Sequence, residues 1–159
     1  MEQRLKYISY SVVCEEVPDE ISLVINISGC PHKCEGCHSK YLWNYTGQYI
    51  SDNIDAILNI YSDYITCVCF MGGDQNIDEL FMLCKKIKNR YRLKTCVYSG
   101  SDDIHIFDNH INKKLIDYLK IGRYVQELGG LNSNITNQRM YRIIDGSIED
   151  ITYRMNNNE

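Results

Sequence analysis

Four apolar segments of this chain each end at or just before a glycine, and helical patterns separate them. The apolar segments are residues 23–28, 64–70, 93–98 and 119–121, and the helical patterns are residues 51–61, 76–90 and 109–117. Strands that alternate with helices predict a parallel sheet with covering helices. A closed eight-fold barrel typically needs about 250 residues, and this chain has 159. We therefore predict an α/β fold: a partial, open β/α barrel with a mostly parallel sheet and helices on the outside.

Length and charge restrict the function classes. The chain has 159 residues, the size of a single domain spanning 1–159, with 17 Lys and Arg against 21 Asp and Glu. A net charge of −4 argues against a nucleic-acid-binding surface, which is normally basic. No apolar run reaches the length of about 18 residues needed to span a membrane. Residues 1–6 are charged and lack the apolar region of a signal peptide, so we expect a cytoplasmic protein.

Three of the eight cysteines fall within eight residues, at Cys30, Cys34 and Cys37. In a reducing compartment such a cluster indicates a metal site before it indicates disulfides. Thiolates select zinc, copper(I) or iron–sulfur clusters. Structural zinc sites and simple ferredoxin clusters need four ligands, and this motif supplies three. We therefore favour a [4Fe-4S] cluster with one open iron; a zinc knuckle completed by His32 or His38 is the alternative.

The other cysteines and two of the histidines are expected to have no role in metal binding. Cys67, Cys69, Cys84 and Cys96 lie in apolar patterns and are expected to pack as small hydrophobic side chains. His105 and His110 lie in a polar stretch and are expected to face solvent.

Three glycine-bearing loops, at Gly29, at residues 72–73 and at residues 99–100, follow predicted strands. They should meet at one edge of the sheet, where α/β folds bind ligands.

Several motifs carry a family resemblance. The spacing C-x-x-x-C-x-x-C after the first core strand resembles the signature of radical S-adenosylmethionine enzymes, and residues 71–74 resemble their Gly-Gly-Glu/Asp element. More narrowly, residues 28–38 with Trp43 resemble the family of activating proteins of anaerobic ribonucleoside-triphosphate reductases. Residues 97–100, 122–128 and 137–139 add weaker similarity, so that the resemblance covers about residues 20–143. Residues 154–159 are expected to form a frayed tail.

The resemblance implies an activity and a set of site residues. Cys30, Cys34 and Cys37 would ligate a [4Fe-4S] cluster, and S-adenosylmethionine would bind its open iron and be cleaved by one electron. The radical formed would abstract hydrogen from a glycine of the reductase. The residues implied to contact S-adenosylmethionine are Gly36, Cys37, His38, Gly72, Gly73, Asp74 and Ser99, with no catalytic residue beyond the cluster and cofactor. Capping of the helix at 76–90 is the alternative role of Asp74, and turn stabilisation that of Ser99.

The implied partners are the reductase as protein substrate and a low-potential electron donor such as flavodoxin or ferredoxin. The resemblance is also compatible with a homodimer. Two segments depart from the family pattern: residues 17–22 lack its Gly-rich, Arg-bearing stretch, and residues 75–77 lack its usual proline. Three other functions remain open: an activase of another glycyl-radical enzyme, a small radical S-adenosylmethionine synthase, and a non-enzymatic zinc or electron-carrier module.

Overall fold

The computed structural model describes residues 3–156, which form one mixed sheet and three α-helices. The elements in chain order are β1 (Lys6–Val13), β2 (Ser22–Ile27), β3 (Gln48–Tyr49), α1 (Ile50–Tyr61), β4 (Cys67–Met71), α2 (Ile77–Lys86), β5 (Lys94–Tyr98), α3 (Asp108–Asn112), β6 (Tyr118–Ile121), β7 (Arg139–Ile144) and β8 (Ser147–Asp150). Short 3₁₀ turns occupy Lys40–Leu42, Asp74–Asn76, Ile104–Phe107 and Thr152–Arg154, and a π-helical turn, Ile87–Tyr91, continues α2.

The sheet is parallel in its centre and antiparallel at both flanks. Its strand order is β3-β1-β2-β4-β5-β6-β7-β8. The pairs β2–β4, β4–β5 and β5–β6 are parallel, whereas β1, β3, β7 and β8 pair antiparallel to their neighbours. The α/β class is confirmed, and the parallel arrangement holds for the four central strands. The two edge strands, β3 and β8, do not pair with each other in the described sheet, so it is not closed into a barrel.

The helices cover one face of the sheet. Alternate residues of the central strands, such as Phe70, Val97 and Leu119, pack in one core with the buried sides of α1, α2 and α3. The helix α2 begins where the sequence predicts, because the Asn76 side chain accepts a hydrogen bond from the backbone N–H of Glu79 at 3.0 Å. Helix α1 begins one residue earlier than expected, and α3 ends at Asn112 instead of continuing to 117.

His110 is buried in this core, and the expectation that it faces solvent is wrong. Its side chain lies edge-on to Phe107 and Phe81, with ring centroids 5.6 and 5.0 Å away. The residue is 2 % exposed, and neither ring nitrogen has a hydrogen-bond partner among the described residues. His105, in contrast, is exposed as expected, with its imidazole 3.3 Å from the Asp108 carboxylate.

A smaller apolar cluster packs on the opposite face of the sheet. It contains Cys67, Cys69 and Cys96 together with side chains from the segment before β2 and from the C-terminal segment. Arg154 forms an ion pair with Asp19 at 2.7 Å, which attaches the C-terminal turn to the segment before β2. Arg154 is also the last residue of the 3₁₀ turn Thr152–Arg154. The frayed tail expected over residues 154–159 stays a prediction, and residues 157–159 lie outside the described part.

None of the helices within residues 3–156 is long and apolar enough to cross a membrane.

Candidate metal and cofactor site

Cys30, Cys34 and Cys37 lie on the loop that leaves the carboxyl end of β2. All three thiols are free and partly buried. The loop is held by backbone hydrogen bonds from Cys30 N–H to the Leu42 carbonyl at 3.0 Å and from Cys37 N–H to the Cys34 carbonyl at 3.2 Å. The backbone N–H of Ser39 also donates to the Cys37 sulfur at 3.3 Å. The loop is thus a defined structure that presents three sulfur atoms.

The donor set fits an iron–sulfur cluster. Three thiols are soft ligands of the kind that iron–sulfur clusters require. Among residues 3–156, no three His, Cys, Asp or Glu side chains are grouped so that they could hold one metal ion. His32, the first candidate for a fourth zinc ligand, uses its Nε2 in a contact of 2.6 Å with Asp74. We therefore consider Cys30, Cys34 and Cys37 the residues that would hold a cluster.

Asp74 lies at the centre of a hydrogen-bond network at the carboxyl ends of β4 and β5. Its carboxylate accepts hydrogen bonds from the Ser99 hydroxyl at 2.7 Å and from the Gly100 backbone N–H at 2.9 Å, and it contacts His32 Nε2 at 2.6 Å. The predicted pair Asp74 and Ser99 is therefore brought together. Asn76 caps α2 instead, so the capping role considered for Asp74 is wrong.

The hydrogen bonds of this network shift the pKa values of both Asp74 and His32. Burial of Asp74 raises its pKa, but the hydrogen bonds from His32, Ser99 and Gly100 outweigh burial and leave the pKa below its usual value. The hydrogen bond to Asp74 raises the pKa of His32, although partial burial of the imidazole acts in the opposite direction. Asp74 is therefore a buried anion at neutral pH.

Gly72 and Gly73 form the turn between β4 and Asp74. Both adopt left-handed backbone conformations, with φ of 114° and 108°, which favour glycine. A Cβ atom on Gly73 would lie 3.2 Å from the Leu80 side chain. Both positions thus require glycine for the turn, and packing against α2 adds a second reason at Gly73. Their proposed contact with a cofactor stays a prediction.

Gly36 and His38 contact a loop that follows β6. The ring of His38 packs edge-on against that of Tyr124, with centroids 5.5 Å apart. A Cβ atom on Gly36, whose φ is 75°, would lie 2.9 Å from the side chain of Gln126. The loop at 124–126 therefore forms one wall beside the last two cysteines. Gln126 fills the space that a side chain at position 36 would occupy.

Lys120 is a buried cation on β6 that the sequence reasoning missed. Its ammonium donates to the backbone carbonyls of Gly122 at 2.7 Å and Ser99 at 3.1 Å. Burial lowers its pKa to about 8, while the negative charge of Asp74 acts in the opposite direction. A lysine between the apolar residues of a core strand was the available signal, since lysine is rarely buried without a reason.

The remaining buried cysteines lie away from solvent. Cys67, Cys69, Cys84 and Cys96 have no exposed surface. Burial raises the pKa of the Cys84 thiol to about 12 and also raises that of Cys67, which keeps both thiols protonated. Their positions agree with a packing role.

Comparisons with known proteins identify the family of this chain. Residues 21–144 match the family described as a 4Fe-4S single cluster domain. The anaerobic ribonucleoside-triphosphate reductase-activating protein of Enterobacteria phage T4 is 28% identical over 137 residues, covering 78% of this chain and 85% of the phage protein. The protein of the same name from Salmonella typhi is 30% identical over 114 residues, covering 64% of this chain and 73% of its own. No solved structure shows a significant match. The chain belongs to the family of anaerobic ribonucleoside-triphosphate reductase-activating proteins and carries its 4Fe-4S single cluster domain.

Proposed function

We propose that this chain activates an anaerobic ribonucleoside-triphosphate reductase by radical S-adenosylmethionine chemistry. The observation that carries the proposal is the set of three free thiols on one ordered loop, inside a segment that matches a 4Fe-4S domain. Three protein ligands leave one iron of a four-iron cluster available to a small molecule. When bound, the cluster and S-adenosylmethionine would supply one-electron cleavage of the sulfonium and a radical that abstracts hydrogen from a glycine of the reductase.

The residues of the chain would hold and orient these groups. Cys30, Cys34 and Cys37 would ligate the cluster as thiolates. The Asp74 carboxylate would accept a hydrogen bond from the amino group of S-adenosylmethionine. It has the capacity for this because Oδ1 accepts one hydrogen bond, from Ser99, and a carboxylate oxygen can accept two. The carbonyls of Gly72 and Gly73 would line the same cationic group.

The wall beside Cys37 would shape the rest of the cofactor site. The backbones of Gly36 and His38 would approach the adenine, and Gln126 and Tyr124 would limit how far that ring can move. Excluding water matters here, because the protein's part in such chemistry is to orient the cofactor and prevent side reactions.

The proposed substrate is a protein. Both curated relatives are named as activating proteins of the anaerobic reductase, and 73% to 85% of their lengths is covered by this chain. A low-potential electron donor such as flavodoxin or ferredoxin would supply the electron.

The proposal is tested by comparing two cysteine variants after anaerobic reconstitution with iron and sulfide. Cys34→Ala should abolish reductive cleavage of S-adenosylmethionine, measured as 5′-deoxyadenosine released with dithionite as reductant. Cys69→Ala is the matched control, because Cys69 has no exposed surface and lies in the apolar cluster of the sheet. Its cleavage rate should stay close to that of the unmodified protein. Equal loss in both variants, with both folded, would contradict the ligand assignment.

A further inference from the structure

Two side-chain contacts fasten the cysteine loop to the loop after β4. His32, which lies between Cys30 and Cys34, contacts the Asp74 carboxylate through Nε2 at 2.6 Å. The neighbouring Gln75 donates from Nε2 to the Ser28 carbonyl at 2.8 Å, just before the first cysteine. The side chains of residues 74 and 75 therefore hold the cysteine loop at two points, His32 and Ser28.

The Asp74 carboxylate, which His32 contacts, is held in a fixed position. The Asp74 side chain is 7% exposed, and Ser99 and Gly100, in the turn after β5, each donate a hydrogen bond to one of its two oxygens. The His32 side chain is 28% exposed and lies on this buried anion. An imidazole held by a fixed carboxylate has little freedom to move, because a charge-assisted hydrogen bond is about twice as strong as a neutral one.

Gly100 provides the space for this arrangement. A Cβ atom built on Gly100 would lie 2.5 Å from Cδ2 of His32 and 3.0 Å from its Cγ. The φ of Gly100 is not positive, so backbone conformation alone does not require glycine there. The requirement comes from the imidazole, which packs directly on the backbone of residue 100. Three elements, the cysteine loop, the β4 loop and the β5 turn, therefore fit together around His32.

We propose that His32 is a positioning residue that ties the cysteine loop to Asp74, so that Asp74 helps to retain the cluster before any cofactor binds. The inference rests on the proposed cluster but not on the proposed cleavage of S-adenosylmethionine. His32 lies two residues from each of Cys30 and Cys34, so fixing its side chain restricts the backbone that spaces their sulfur atoms. Groups that orient metal ligands typically change metal affinity by about 10- to 100-fold when removed.

The test measures iron release from the reconstituted protein to a ferrous chelator, under anaerobic conditions and without S-adenosylmethionine. His32→Leu removes the contact and should accelerate release by about tenfold. His32→Gln places an amide N–H at a similar reach and should restore most of the retention. The matched control is His105→Leu, because His105 also lies beside a carboxylate, but its side chain is exposed and its partner is Asp108 instead of Asp74. It should release iron at the rate of the unmodified protein.

Two further measurements separate positioning from a general loss of structure. The reduced cluster of His32→Leu should give an EPR spectrum with shifted g-values, whereas far-ultraviolet circular dichroism should be unchanged. The double variant His32→Leu/Asp74→Asn should lose iron no faster than the faster single variant, because both substitutions remove the same charge-assisted contact.

Three outcomes would overturn the proposal. These are iron release from His32→Leu at the unmodified rate, equal acceleration in His32→Gln, and additive effects of the His32 and Asp74 substitutions. A failure of the proposed function looks different, because the unmodified protein would then retain its cluster normally but release no 5′-deoxyadenosine.

Discussion

His110 should make the stability of this protein sensitive to mild acid. Its side chain is 2% exposed and has no hydrogen-bond partner among the described residues. Burial lowers the pKa of His110 to about 4, although the carboxylate of Asp78 acts in the opposite direction. In the unfolded chain the imidazole returns to a pKa of about 6.5. The folded state therefore favours the neutral form.

The sign and size of the effect follow from proton linkage. Between the two pKa values the unfolded chain binds a proton at His110 that the folded chain does not, so stability falls as pH falls from about 6.5 to about 4. From pH 7.5 to pH 5.5 these values reduce the folding equilibrium constant about tenfold, or about 1.3 kcal/mol. Other groups titrate in the same range, so a matched variant is needed to isolate this contribution.

His110→Leu provides that comparison, because leucine has a similar volume and no titratable group. Urea denaturation at pH 7.5 and pH 5.5, followed by circular dichroism, gives the free energy of unfolding of both proteins. The unmodified protein should lose about 1.3 kcal/mol more than the variant over this interval. The variant should also be more stable at pH 7.5, since two unsatisfied buried nitrogens are removed. Equal pH dependence in both proteins would refute the reasoning.

Two further substitutions test contacts outside the cysteines. Gly100→Ala would place its Cβ 2.5 Å from the His32 ring, so it should displace the imidazole and accelerate iron release as His32→Leu does; retention at the unmodified rate would contradict the packing argument. Glu20→Ala removes the carboxylate that accepts hydrogen bonds from Tyr118 at 2.8 Å and Lys94 at 3.0 Å. It should lower the free energy of unfolding in urea by about 2 kcal/mol, and no change would show that the contact is not stabilising.

Local sequence signals located most of the central elements. Helix α2 combines a capping asparagine with a regular apolar stripe, and both signals act within a few residues of the chain. The α3 prediction was too long because Leu115 and Ile116 are buried and continue the apolar pattern. The chain nevertheless leaves the helix at Lys113, and Lys114 has a φ of 58°. Apolar periodicity reports burial, which a turn can also provide.

The flanking strands carried weaker signals. All four residues of β8 are exposed, so the strand shows no alternation of buried and exposed residues. The strand β3 has two residues, which is too short for any pattern. Both depend on pairing with β7 or β1 and become visible only when the sheet is assembled.

The candidate site likewise combines features that local sequence indicates with contacts that only the tertiary structure shows. The spacing of Cys30, Cys34 and Cys37 is a local property, and it predicts a metal-binding loop from the sequence alone. The contact of His32 with Asp74 joins residues 42 positions apart, and it depends on how the ends of two strands meet. The packing of Gln126 on Gly36 similarly requires the loop after β6 to reach the cysteine loop. Such contacts are set by tertiary structure, and no short motif encodes them.

EPR spectroscopy of the dithionite-reduced, reconstituted protein with and without S-adenosylmethionine tests the central claim most directly. A cluster held by only Cys30, Cys34 and Cys37 should give a signal whose g-values shift when S-adenosylmethionine is added, because the cofactor binds the iron that lacks a protein ligand. A reduced-cluster signal that is identical in both samples, or protein that contains one zinc and no cluster, would contradict the account.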